Sequence, residues 1–392
     1  MKRILLAALM AALLLAAWPV ALAEQTQIEV YVSEGAMARE TASRLVEMAQ
    51  AAYPQAEWSA VFEEDVGMTL RELVLADCAP QVAICAPQEV LPWENEGLLV
   101  PLGGRVSDLP LLQEEVVQAC TQDETLFMAP LLARHRRVAV NASLLSGMNM
   151  SYLLSQRDHP VWLPTELFQV VEEASLTGRL AMELWLPQED TAASIEAFIQ
   201  SLYGGRLIEK DGSCTADTTQ MISALTWVRD MASSGMIDIV RDRQTALEHF
   251  VSGQTLLFID WTDEDSLRYA HEMMQDDIDL REMPYPTAEG RSVRSFELVG
   301  AAVFAGHDAR TMSLAAQGVA LWSDAAKTQT VLGDRGIWRD DAVWLPCLSA
   351  QPSGATLRGL FAESVRDVLA GERAPQDALR RVTAVYAAVT GK

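Results

Sequence analysis

The feature that most constrains the fold is an early alternation between strand-like and helix-like runs. Residues 28–32, 57–62 and 81–85 are short apolar-rich runs bounded by turn signals, and each reads as a strand. Between the first two, Ala38, Ala42, Leu45, Ala49 and Ala52 recur at helical spacing until Tyr53-Pro54 ends the run. A second helix is expected from about Gly67 to Leu75. Repeated strand-helix-strand units require right-handed crossovers and so a parallel sheet, which gives an α/β first lobe. At 392 residues the chain exceeds one usual domain and suits two, each able to bury its own core.

Lys2 and Arg3 precede an apolar run at 4–17, and Ala21-Leu22-Ala23 fits the small-x-small cleavage rule. Residues 1–23 therefore read as a signal peptide, and Glu24 as the mature start. The run stops at Pro19, short for a transmembrane helix, with an uncleaved anchor as the alternative. The first cysteine is Cys78, so nothing near the cleavage point offers a lipoprotein anchor, and a periplasmic or extracellular location is expected. A formal charge of -24 argues against nucleic acid and anionic membrane surfaces, and mildly against polyanionic ligands. Five cysteines cannot all pair within one chain. Cys78 and Cys85 flank a turn, but Cys85 also reads as a small buried strand residue, while Cys120, Cys214 and Cys347 lack metal-type spacing.

The stretch 243–265 points to a ligand site. Ala246, Leu247 and Phe250 mark a short amphipathic helix that ends at Ser252-Gly253, and the uncharged run 255–259 has the length of a buried strand. It opens on Asp260-Trp261. A polar, aromatic and acidic cluster just past a strand is where open α/β sheets bind ligands. Residues 180–185 form another expected strand, ending in Trp185, Pro187, Gln188 and Glu189. Asp217 can cap a helix carrying Met221, Leu225, Val228 and Ala232, stopped by Gly235. Leu357, Phe361, Val365 and Val368 share one helical face, and Ala374-Pro375 opens a last helix.

In order, these segments resemble the extracellular solute-binding proteins of family 1, the receptors that feed sugar-type ABC importers. IEVYVSEG looks like the family's opening strand and turn, LADCAPQVAIC is similar to its aagdaPDVv segment, and NEGLLVPLGGRV to aGlLvPLdelv. Residues 123–145 are similar to gk.ygvP......l.yNkdll through Pro130, Asn141 and Leu144-Leu145, and the stretch 243–265 to eAl..F..Gk.Am...w. The sequence departs from the pattern at Gln81, at Val140 and in lacking the Trp before Glu166. The resemblance implies a two-lobe periplasmic-binding-protein fold of type II with three hinge crossings. The divisions expected are 24–138 plus 263–308 for the first lobe and 139–262 plus 309–392 for the second. Hinge strands are expected near 136–141, 259–262 and 305–311. It also implies a monomer that works with an ABC permease on a small, sugar-like ligand, with no cofactor and no metal.

Chemistry searched for directly is mostly absent. The five histidines show no zinc spacing, and no GxSxG elbow, Gly-rich phosphate loop or Ser-x-x-Lys pair occurs. Carboxylates are abundant, so a secreted glycosidase stays open beside a receptor and a sensor or scaffold on the same fold. Arg134-His135-Arg136-Arg137 is the one dense basic cluster, readable as a solvated face or as donors for ligand oxygens. Trp185, Trp261 and Trp338 fall after strands or in loops, where a flat ring could stack on a sugar, although core packing is the alternative for each. The ligand-binding set expected is Glu34, Gly35, Gln88, Arg134, Trp185, Asp260, Trp261 and Trp338.

Overall fold

The computed structural model describes residues 25–155, 161–185, 193–209, 211–262, 265–266, 268–269, 278–288, 290–340, 342–348 and 354–391. The expected signal peptide, 1–23, lies outside them. The chain begins with β1 (Thr26–Ser33), α1 (Arg39–Ala52), β2 (Ala56–Glu63), α2 (Val66–Leu75) and β3 (Val82–Cys85). Alternation along β1 buries Ile28, Val30 and Val32 completely, and β1 pairs in parallel with both β2 and β3. The small residues Ala42 and Ala49 let α1 sit close on this sheet, and Asp65 caps α2 by accepting from Met68 N at 2.9 Å.

β4 (Met128–Asn141) then runs for 14 residues out of this half. Beyond it come α3 (Pro164–Leu176), β5 (Leu180–Trp185), α4 (Ala193–Tyr203), α5 (Thr219–Ser233), β6 (Asp238–Val240), α6 (Arg243–Val251) and β7 (Thr255–Trp261). β8 (Leu280–Met283) and the long β9 (Val293–Val303) follow, then α7 (Ala309–Ser323), α8 (Ala325–Leu332), β10 (Val343–Pro346), α9 (Gly354–Leu369) and α10 (Pro375–Thr390). One sheet runs β2-β1-β3-β9-β4-β7-β5-β6, with β8 added to β4 and β10 to β9.

Two apolar cores sit on this sheet. Met128, Ala129, Leu131 and Ala133 place the first half of β4 in one core, while Val138, Ala139 and Val140 place its second half in the other. β4 therefore passes from one core to the other. The other boundaries differ. The expectation placed 263–308 in the first lobe, yet Met283 and Tyr285 pack in the second core, and the Tyr285 hydroxyl donates to Ile259 O at 2.8 Å. The chain returns only between Tyr285 and Phe296, which lies in the first core. The expectation also placed 309–392 in the second lobe. Instead Leu314, Ala315, Val319 and Trp322 of α7 bury in the first core, because the apolar face of that helix packs on β1, β9 and α1. The last crossing lies at β10, between Trp344 in the first core and Leu348 in the second. Residues 259–262 and 305–311 are thus not crossings.

Candidate functional site: a charged floor between the lobes

β4 and β9 pair antiparallel, with Arg134 opposite Glu297 and Arg136 opposite Ser295. The two-residue pleat places Arg134 and Arg136 on one face and His135 on the other. There the His135 imidazole packs edge-on against Trp344, 5.0 Å between ring centroids, and its Nε2 lies 2.7 Å from Gly336 O. On the opposite face Arg136 Nη2 donates to Glu297 Oε1 at 2.8 Å, and its Nη1 donates to Asp260 Oδ1. Arg243, at the start of α6, donates to Asp260 Oδ2 at 2.5 Å and to Asp265 Oδ2 at 2.5 Å. Asp260 is thereby clamped by two guanidinium groups at the end of β7, its side chain only 2 % exposed. Burial alone would push the Glu297 carboxyl up, but the Arg136 guanidinium outweighs it and holds Glu297 below the usual carboxylate range.

Two further arginines reach this floor from the lobes. Arg134 Nη1 donates to Gly35 O at 2.6 Å and its Nη2 to Ala36 O, tying the crossing strand to the turn after β1. Arg358 projects from α9, whose neighbours Leu357 and Phe361 belong to the second core, and donates to the Gln88 side-chain oxygen just past β3. That contact joins the two lobes directly. Beneath it, Glu196 on α4 accepts from Leu348 N at 3.0 Å and from Gln200 Nε2 at 3.2 Å. Burial pushes its pKa up to about 8, so at neutral pH it carries its proton.

Of the expected set, the structure brings Gly35, Gln88, Arg134 and Asp260 to this region, and Glu34 lies beside Gly35, ion-paired to Arg39. It does not bring the aromatic residues. Trp261 is fully buried in the second core, donating to Ser266 Oγ at 2.8 Å and standing edge-on to Phe250. Trp185 is 3 % exposed and stacks on Phe258 at 5.7 Å. Both end apolar strands whose side chains are buried on both faces, so each ring completes a core instead of facing a cleft. Trp338 belongs to the first lobe, half-buried under the Arg335 guanidinium at 5.6 Å, and lines a cavity of about 530 Å³ with Ala325, Gln329 and Asp334. Pro187, Gln188 and Glu189 lie outside the described residues. The expected set left out Arg136 and Arg243, although the basic cluster and the stretch 243–265 contain them, and Glu297 and Arg358 were not singled out at all. The alternation in Arg134-His135-Arg136 and the single acid inside the apolar run of β9 were the available signals for two of these. Among the described residues no cluster of histidine, cysteine and acidic side chains could hold a metal ion, and none of the five cysteines is disulfide-bonded.

No family model matches the chain, and no curated protein matches it. Solved structures do. The sugar-binding protein MalE of Xanthomonas citri superposes with a TM-score of 0.75 at 14% identity, over 93% of this chain and 98% of that one. The cyclic alpha-maltosyl-1,6-maltose binding protein of Arthrobacter globiformis gives 0.74 at 17% identity over 93% and 98%. The GacH receptor of Streptomyces glaucescens, solved unliganded and with acarbose, gives 0.70 at 15% identity over 94% and 99%. The fold is that of the two-lobe, type II periplasmic binding proteins, and the chain covers nearly the whole of each of these structures.

Proposed function

We propose that this chain is an extracytoplasmic solute-binding receptor of the family 1 type, which captures a small polar ligand, a saccharide, between its lobes and passes it to an ABC importer. The observation that carries the reading is the charged floor beneath a two-lobe fold, with Arg358 and Gln88 meeting across it from opposite lobes. A ligand contacting both lobes favours their approach, because only contacts that differ between open and closed states shift that balance. The lobes assigned are 25–133 with 296–344 and 138–285 with 348–391. Residues 1–23 act as the export signal, the protein works as a monomer, and its acidic charge keeps it from nucleic acid. The saccharide ligands of the structurally similar proteins support the same reading.

The reading is binding without turnover. Asp260 and Glu297 are both ion-paired to Arg136, so neither carboxylate stands unpaired toward a ligand. Glu196 has the raised pKa of a general acid, but at 1 % exposure and bonded to Leu348 N it cannot reach a ligand. A thermal-shift screen of residues 24–392 against saccharides, polyols, amino acids and polyamines tests the proposal, since a ligand of the folded state raises Tm by mass action. A saturable rise with saccharides is expected. Turnover of a glycoside panel, or a flat response from a cooperatively melting chain, would contradict the reading.

A further inference from the structure

Arg134 and Arg358 differ from the other arginines of the floor in one respect. Arg136 and Arg243 are each paired with two carboxylates, whereas Arg134 donates only to the carbonyls of Gly35 and Ala36, and Arg358 only to the amide oxygen of Gln88. Among the described residues neither makes an ion pair. The acids that act on them electrostatically are already engaged: Glu297 by Arg136, Glu89 by Ala86 N at 2.7 Å and Glu196 by Leu348 N. Both arginines are only half-buried, and they come from opposite sides of the lobe boundary. Two guanidinium groups hydrogen-bonded to neutral partners therefore stand where the two lobes meet, in a chain whose net charge is -24. Guanidinium presents a fixed planar fork of donors that matches a carboxylate. The neutral partners fix the orientation of each group and leave it without a directly bonded carboxylate among the described residues, while Glu297 offsets part of the charge of both.

We infer that the ligand is an acidic saccharide, one whose ring carries a carboxylate, bound between Arg134 and Arg358. The inference rests on the receptor reading above and adds the ligand's charge to it. The ionised Glu297 nearby sets an upper limit on that charge, because it repels a dianion such as a sugar phosphate more than a monoanion. A carboxylate that contacts an arginine from each lobe also rewards closure, which a contact with one lobe would not.

The test is calorimetric titration of residues 24–392 with D-glucuronate, D-galacturonate and digalacturonate, beside glucose, galactose, maltose and glucose 6-phosphate. The acids are expected to bind at least tenfold more tightly than their neutral counterparts, with affinity falling as salt rises. Arg134→Gln and Arg358→Gln are each expected to bring acid and neutral sugar to within about threefold while melting within a few degrees of wild type. The wild-type preference is decisive even where a variant misfolds. Neutral sugars binding as tightly as the acids would overturn this inference and leave the receptor reading standing. Tighter binding of glucose 6-phosphate than of glucuronate would overturn the carboxylate assignment. No binding by any of these saccharides would overturn the inference and the saccharide-receptor reading together.

Discussion

At 1 % exposure the Glu196 carboxyl keeps its proton to about pH 8, with burial the dominant cause and Arg358 and Arg136 opposing it. In the unfolded chain the same group ionises in the ordinary glutamate range. Between those limits the folded state binds more protons than the unfolded one, so stability falls as pH rises, by up to about 1.4 kcal/mol per pH unit, and levels off above about 8. Glu196→Gln keeps an oxygen to accept from Leu348 N and Gln200 Nε2 and removes the ionisation. Denaturant melts of this variant are expected to lose the decline from pH 5 to 8 and to show greater stability than wild type at pH 8. A wild-type curve flat across that range would contradict the assignment. Trp261 makes the opposite point. It is fully buried against Phe250 and Phe258, so Trp261→Ala should cost about 3–5 kcal/mol in urea melts. A loss below about 1 kcal/mol would place the ring outside the core.

The elements follow from local pattern with few surprises. β5 occupies Leu180–Trp185 and α2 Val66–Leu75, close to the ranges their composition dictates, because alternation and helical spacing act over a few residues. β9 was harder. Arg294 and Glu297 interrupt the apolar run of Val293–Val303, so composition alone does not bound it. Arg136 pairs with Glu297 diagonally across the ladder, 161 positions apart, a contact that local pattern does not encode. Close packing of elements is equally non-local. Gly318 on α7 lies against the indole of Trp58 on β2, where an added Cβ would meet the ring. Gly318→Ala is therefore expected to destabilise by about 1–3 kcal/mol despite its better helix propensity. An unchanged or raised Tm would mean that the indole moves aside without cost.

For the whole molecule, the order of motifs made the two-lobe architecture legible, while the exact crossings depended on tertiary packing. The helix after β9 could join either core by its amphipathic pattern, and contacts with β1, β9 and α1 placed it in the first. The site was legible in part for the same reason. Strand ends located Gly35, Gln88 and Asp260, but whether Trp185 and Trp261 faced solvent or core depended on neighbours far away in the sequence. A ligand bound between the two lobes is expected to draw them together. The most direct test is small-angle X-ray scattering of residues 24–392 alone and saturated with the tightest saccharide from the titrations. A smaller radius of gyration at unchanged molecular mass is expected on saturation. Identical scattering curves with and without a saccharide that calorimetry shows to be bound would contradict it.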